Sequence, residues 1–457
     1  MSRSVRRIIF IVFVLCFIAT SIAVTLFAAG YRYNVTKQRF EKTGLIRVES
    51  VPRDAIIFVN GKQVRERTPA RLARLLPGEY VVRLEKTGYL PWERRLEVQS
   101  GVVTFAGEIK LFRDEVPTLA VPGEIRSLSL SPDGNSLAYA LQKPTGTEVW
   151  MRNLSQNTDE LILQKKPSAP ESRASGKPET VAFSRSKHGD VLITISGEVR
   201  QYFLASGNNP SPLLDLQKNR APLARVAWGT DEETLEGFVR TVPGRGTLLR
   251  INQKTGERTV IASPVPEEVY LRNEVLYAIL GTASAPRLTR RNVGAASAQT
   301  VLSLPAGAYS FLRSREPHLT LFNARDSRVL VIEPENETPL RLTLSAKETR
   351  WQDGGELLSW NDFEIWTSDA ARGESRLLAR YGETVRSAAL HAGWPYLFGG
   401  WGNLIRAIDL DTREPRNVVE LVKATEIRDF TIGADGKKLY FTGTIGNAKG
   451  IFSLTLR

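Results

Sequence analysis

The chain has 457 residues, a formal net charge of +13 from 62 Lys and Arg against 49 Asp and Glu, and one cysteine, Cys16. A single cysteine excludes an internal disulfide framework and a cysteine-zinc site. Residues 1–43 carry +6, residues 44–112 carry +4 and residues 113–457 only +3, which argues against a basic groove tracking nucleic acid and suits attraction to anionic lipid or an acidic wall polymer.

Residues 1–7 form a short tail with Arg3, Arg6 and Arg7. Residues 8–29 carry no charge and are almost wholly apolar; as a helix these 22 residues span about 33 Å, enough to cross a bilayer core. A cleaved signal peptide is the rival, but no small-x-small cleavage site is evident, since Phe27 sits two before Ala29, and Cys16 lacks the small residue before it that a lipoprotein signal needs. The expectation is an uncleaved signal-anchor. Residues 30–43 are a juxtamembrane linker. Its Arg32, Lys37, Arg39 and Lys42 nearly balance the three arginines ahead of the helix, so the positive-inside rule leaves orientation open. Tyr31 and Tyr33 suit the headgroup level.

Residues 44–112 read as a small all-β domain of five or six strands. Asn60-Gly61 between alternating runs is a hairpin signal, and Pro77-Gly78 and Gly88 mark further turns.

Residues 113–457 repeat one unit eight times. A short apolar run ends in a bulky residue (Leu130, Phe183, Trp228, Tyr270, Phe311, Trp351, Leu390, Ile432) and a polar turn follows. A second apolar run then opens at or near Leu137, Leu192, Leu235, Val275, Leu319, Leu357, Leu397 and Leu439, which lie 38–55 residues apart. Third and fourth runs complete each unit, except that the eighth stops after its third. Four short strands recurring about every 40 residues predict an all-β propeller, with eight blades favoured and seven as the alternative. The spare run Pro117–Val121 is expected to supply the missing outer strand of the last blade and so close the ring. The Pro/Ser/Lys-rich stretch Lys165–Pro178 lengthens the first step and reads as a flexible insertion.

Residues 44–98 resemble a PEGA domain. The resemblance is carried by the strand before Ser50-Val51-Pro52, by Ala55–Gly61, by Thr68-Pro69, by Leu76-Pro77-Gly78-Glu79-Tyr80 and by Gly88-Tyr89. Asp54 stands where the namesake motif has glycine. Through Ser131-Pro132-Asp133-Gly134 and the looser Ala434–Leu439, the propeller is similar to the repeat of periplasmic Tol-type propellers. The order of anchor, PEGA domain and propeller resembles uncharacterised bacterial membrane proteins. It implies a cell-membrane location, single-pass, with the C-terminal domains extracytoplasmic, and it implies no known reaction.

Motifs for chemistry are sparse. The three histidines, His188, His318 and His391, fall in separate units and read as turn or core residues. Ser184–Lys187 matches S-x-x-K, and Lys86-Thr87-Gly88 and Lys254-Thr255-Gly256 match K-T-G. That serine enzyme chemistry needs the Ser and Lys on one turn of a buried helix, whereas these are turn sequences. Asp409-Leu410-Asp411 reads as the polar end of a strand, because the remaining calcium-loop ligands are missing. No catalytic residue, metal site or cofactor is assigned.

Two loops between second and third strands stand out for binding. One holds Trp401 and Asn403, the other Arg240 and Arg245; an aromatic and two guanidiniums suit a sugar or an acidic partner. Ordinary hairpin loops would read the same way, and Trp228 and Trp351 read as blade core. The expected function is a membrane-anchored extracytoplasmic scaffold of the cell envelope. Residues 8–29 would hold the membrane, an envelope protein or acidic polysaccharide would be the partner, and nucleic acid would not. The alternative is a propeller hydrolase or lyase acting on cell-wall glycan or peptide, which needs converging carboxylates or histidines at the central channel. A structural role in a surface layer also suits the architecture.

Overall fold

The computed structural model describes the chain apart from residues 1–2, 36, 166–179, 184–189, 196–199, 207–212, 219, 230–233, 353, 412–415 and 434. Most of the expected insertion, and the turn holding Ser184–Lys187 and His188, lie outside the described residues. The chain divides into two compact units. The first comprises residues 1–115 with 408–419 and Arg457; the second comprises residues 116–407 and 420–456.

The first unit opens with one helix, Arg3–Ala28. Its stretch Ile8–Ala28 has a mean hydropathy of 2.8, is long and apolar enough to cross a membrane, and buries none of itself against the protein. The strands Tyr31–Asn34 and Arg39–Lys42 then pair as a hairpin, with Tyr33 edge-on to Phe40 at 5.3 Å.

Residues 44–110 form seven strands in two sheets, one or two more than expected. Strand Gly44–Val51 lies between Ala70–Leu75 and Val103–Lys110, the latter pairing parallel. The second sheet orders Lys62–Arg67, Ile56–Val59, Gly78–Glu85 and Trp92–Val98. Alternation gives each strand one apolar face, and Ile46, Val48, Ile57, Val82, Leu84 and Trp92 fill the space between the sheets. Asn60 and Gly61 both take positive φ, +48° and +76°, as a two-residue hairpin turn of this hand requires. Asp54 has φ +64°, the left-handed region that glycine enters freely. The departure from the motif therefore keeps the turn while straining one residue. The Thr68 hydroxyl ties that turn down: it accepts from the Ala55 N–H at 3.0 Å and lies 2.6 Å from the Ser50 hydroxyl.

The propeller unit contains eight four-stranded antiparallel sheets among the described residues, so the seven-blade alternative is not adopted. The first strands of blades 1–8 are Glu124–Leu130, Thr180–Phe183, Arg225–Trp228, Val269–Arg272, Tyr309–Leu312, Glu348–Trp351, Val385–Leu390 and Glu426–Ile432. Blade 8 runs Thr118–Pro122, Ala448–Thr455, Lys438–Ile445, Glu426–Ile432. The run before the first blade thus pairs with the last strand of the chain, and the ring closes as expected. Thr118 and Ser453 hydroxyls meet at 2.9 Å across this seam, and the Gly123 N–H donates to the Lys449 carbonyl at 2.8 Å.

A first strand is the inner edge of its sheet, and its outward N–H groups need partners. Blade 1 supplies them to blade 2: Ser127 and Ser129 hydroxyls accept from the Val181 and Phe183 N–H groups, each at 3.2 Å. The core is a series of inter-blade layers, for example Val149, Val181, Val191 and Ile193 between blades 1 and 2, and Tyr277, Leu288, Leu319 and Leu330 between blades 4 and 5. Each fully buried aliphatic side chain in such a layer contributes about 1.5–3 kcal/mol.

Candidate functional site

The two expected loops occupy one end of the ring, because both join second to third strands in blades of common direction. They belong to blades 3 and 7; four blades apart in a ring of eight, they lie across the axis and do not form one site. The Trp401 side chain is 0 % exposed, which corrects the expectation of an aromatic platform there. Its indole packs edge-on to Tyr381 at 5.0 Å and lies over Gly399, where any Cβ would stand 2.3 Å from the ring. Asn403 is exposed, and its carbonyl accepts from the Ala424 N–H at 2.9 Å. Arg240 is ion-paired with Glu267 at the surface, an arrangement that contributes about 0–1 kcal/mol. Arg245 is exposed and lines a 190 Å³ cavity with Leu276, Leu280 and Arg291.

Asp409 and Asp411 fall within the first unit and do not face an open loop. The buried Arg94 guanidinium lies 3.6 Å from Asp409 and 3.1 Å from Asp411. This is an internal charge cluster, and a buried arginine needs such neighbours. No group of three or more His, Cys, Asp or Glu that could hold a metal occurs among the described residues. His318 and His391 are buried: His318 stacks on Trp351 at 5.5 Å and His391 on Trp394 at 4.1 Å. Burial holds the His318 imidazole below its ordinary pKa, so it sits neutral in the core.

Another feature lies mainly on the inner strands. A cavity of about 310 Å³ is bounded by Phe183 of blade 2, Arg225 and Trp228 of blade 3, Tyr270 of blade 4 and Phe311 of blade 5, together with Glu236, Arg313 and Ser314. Four-residue strands place these groups. Alternate side chains of each strand pack into the layers on its two sides, Val269 and Leu271 in one and the half-buried Tyr270 in the other, and the cavity opens where the aromatic residues are only partly covered. Gly229, Arg313 and Ser314 follow their strands, so the cavity reaches the end of the ring opposite the two loops above. Tyr270 and Phe311 stack, 5.4 Å between centroids and 17° between planes. Arg225 donates to the Val269 carbonyl at 3.1 Å, which holds its guanidinium at the wall. Trp228 Nε1 is buried with no hydrogen-bond partner among the described residues. Burial raises the Tyr270 phenol above its ordinary value, and the nearby Glu236 charge adds to this against Ser314 and Arg272.

The inner strands of blades 6 and 8 differ in chemistry. Glu348 and Arg350 share one strand, and Asp429 sits on the other. Glu348 is reachable by water yet has protein on several sides, and that burial raises its carboxyl above the ordinary value; the Asp429 charge adds to the rise and Arg350 opposes it. The inner strands of blades 2–5 therefore carry partly buried aromatics packed between blades, and those of blades 6 and 8 carry charged groups.

The sequence alone assigned Trp228 and Trp351 to blade core. Trp351, 4 % exposed and donating to the Thr320 hydroxyl at 3.1 Å, is core. Trp228 is divided: it packs against the layer between blades 2 and 3 and also lines the cavity. Recurrence of an aromatic at the equivalent place does not separate the two roles, because it runs through units 2–6 and Trp351 of unit 6 is core.

Comparison with known proteins agrees with this architecture. Residues 43–111 match the PEGA domain. The C-terminal WD40 domain of Sif2 is 15 % identical, with a TM-score of 0.52, over 75 % of this chain and 99 % of that one. Sqt1 of Saccharomyces cerevisiae is 10 % identical, with a TM-score of 0.48, over 74 % of this chain and 98 % of that one. At such identity the likeness to the WD40 domain shows the propeller fold and nothing of its ligand. No curated protein matches the chain.

Proposed function

We propose that this protein is a membrane-anchored binding and scaffold protein of the cell envelope, with its PEGA domain and propeller outside the cytoplasm and an envelope protein or polysaccharide as partner. The observation that carries the reading is the closed ring with a mixed aromatic and polar cavity on its inner strands. A rigid ring holding a concave site of this composition is suited to binding. The uncharged stretch Ile8–Ala28 of the first helix, with arginines in the turns before it, supports anchoring, and the PEGA domain, a module of surface and envelope proteins, supports placement outside. Cell fractionation tests the placement: the full chain should stay with membranes through an alkaline carbonate wash, and protease added outside the cytoplasmic membrane should cleave the propeller. Release by carbonate, or a propeller protected from external protease, would contradict it.

The second reading, a hydrolase or lyase on wall glycan or peptide, draws on Glu348 and Asp429. A carboxyl whose pKa is raised by burial, with a neighbouring carboxylate charge adding to the rise, is a candidate general acid. It requires that wall glycan or peptide incubated with the protein be shortened, and that Glu348→Gln abolish the shortening.

A further inference from the structure

We infer that the hairpin Tyr31–Asn34 and Arg39–Lys42 is a second membrane contact, whose Tyr33–Phe40 face and neighbouring cations seat in the headgroup layer of an anionic bilayer. The inference rests on the anchoring reading above and adds the lipid chemistry that the protein recognises.

The hairpin is turned the wrong way for water. Tyr33 lies directly opposite Phe40 and Tyr31 opposite Lys42, so these four side chains share one face; Arg32, Asn34, Arg39 and Glu41 share the other. A two-stranded ribbon is marginal in water unless its apolar face is packed on something. Here the polar face is the covered one. Asn34 and Glu41 are 7 % and 8 % exposed and hydrogen-bond to each other at 2.8 Å, while Arg39 and Lys37 reach Glu41 at 2.6 and 3.4 Å. Tyr33 and Phe40 are 50 % and 59 % exposed, and Val35 beside them is exposed too.

Position says what covers the aromatic face. Ile8–Ala28 rises about 31 Å as a helix, the depth of a hydrocarbon core. Only Ala29 and Gly30 separate the helix from the hairpin, which therefore starts within the headgroup layer, about 5–8 Å deep. Two contacts hold it there. The Thr43 N–H and hydroxyl both donate to the Gly30 carbonyl, at 2.9 and 2.8 Å, and the Arg32 guanidinium lies 3.5 Å over the Phe27 ring. Aromatic rings suit that depth. Charge then selects the lipid. Residues 31–42 carry four basic side chains and one acidic, a net +3, and the one carboxylate is taken by Arg39 and Lys37. Arg32, Lys42 and Arg74, whose guanidinium is 5.7 Å from the Phe27 ring, have no carboxylate within ion-pair distance among the described residues. Headgroup phosphates answer them. A second copy of the hairpin would cover the rings but set one net +3 against another.

The test uses the full-length chain in vesicles of phosphatidylcholine, with and without added phosphatidylglycerol. A nitroxide is attached at one site at a time: at Cys16 of the parent, and at Tyr33→Cys, Phe40→Cys or Glu66→Cys in a Cys16→Ser background. Glu66, exposed on an edge strand of the other PEGA sheet, is the water-facing control. Collisions with oxygen, which enters lipid, and with a water-soluble nickel chelate report depth. Labels at positions 33 and 40 should meet oxygen more and nickel less than the label at 66, and the contrast should grow with phosphatidylglycerol. Lys42→Gln should shift the equilibrium from seated to lifted hairpin by about fivefold with no change in melting temperature. Nickel access at 33 and 40 equal to that at 66, or no difference between the two vesicles, would overturn the inference. So would spin–spin broadening at 40 that disappears on dilution with unlabelled chain, because a second copy would then cover the face. If the Cys16 label is shielded from nickel in any of these cases, the hairpin contact fails and the anchoring reading stands. If the Cys16 label is itself open to nickel, both fail.

Discussion

At the residue scale, the difference between a binding aromatic and a packing aromatic was the point the sequence could not resolve. Trp401 in a Gly-Gly-Trp-Gly run looks like an exposed loop residue, yet Gly399 is what makes room for its ring inside the blade. Trp401→Ala should therefore destabilise the propeller by about 3–5 kcal/mol, read as a lower midpoint in urea unfolding. Loss of binding at unchanged stability would contradict that placement. Glu348 gives a pH prediction. Its carboxyl pKa is raised in the folded protein, so the protonated form is the better tolerated one. Its contribution to stability is most favourable below the unfolded pKa and is lost as pH rises through the raised folded value. Glu348→Gln mimics the protonated form. The variant should gain stability relative to the parent at pH 7, and this gain should shrink at pH 4, as measured by melting temperature at both.

At the element scale, the strands were legible and their closure was too. Apolar runs at a fixed period give first and second strands, and an unpaired run before blade 1 with a missing strand in blade 8 leaves one economical pairing. The physical seam is tight: any Cβ at Gly450 would lie 2.0 Å from the Val121 carbonyl oxygen. Gly450→Ala should push strand Thr118–Pro122 off the blade at a cost of about 1–3 kcal/mol. Hydrogen exchange at residues 118–122 should accelerate before the rest of the ring opens; uniform exchange with no preference for this strand would show that the seam is not the weak point. Thr118→Ala, which removes only an exposed hydroxyl pair, should cost no more than about 1 kcal/mol. What the sequence hid at this scale was the parallel pairing of Gly44–Val51 with Val103–Lys110. Parallel partners are joined through a long connection, and no local turn announces them.

At the scale of the whole molecule, fold class follows from periodicity, because a repeat that cannot bury its own faces must stack on its neighbours. The cavity does not follow from periodicity. It depends on which side chains from four separate units converge, a relation that spans residues 183 to 314 and leaves only a faint mark, the run of aromatics Phe183, Trp228, Tyr270 and Phe311. A ring that acts as a binding device has a signature that catalysis lacks: the partner is held and recovered intact. The most direct test is retention of solubilised envelope proteins and purified wall glycan on the immobilised full-length chain across a salt series. The account predicts that at least one component is retained, withstands salt well beyond the range that screens surface charge, and elutes at its original length. No retained component, or glycan recovered in shortened form, would contradict it.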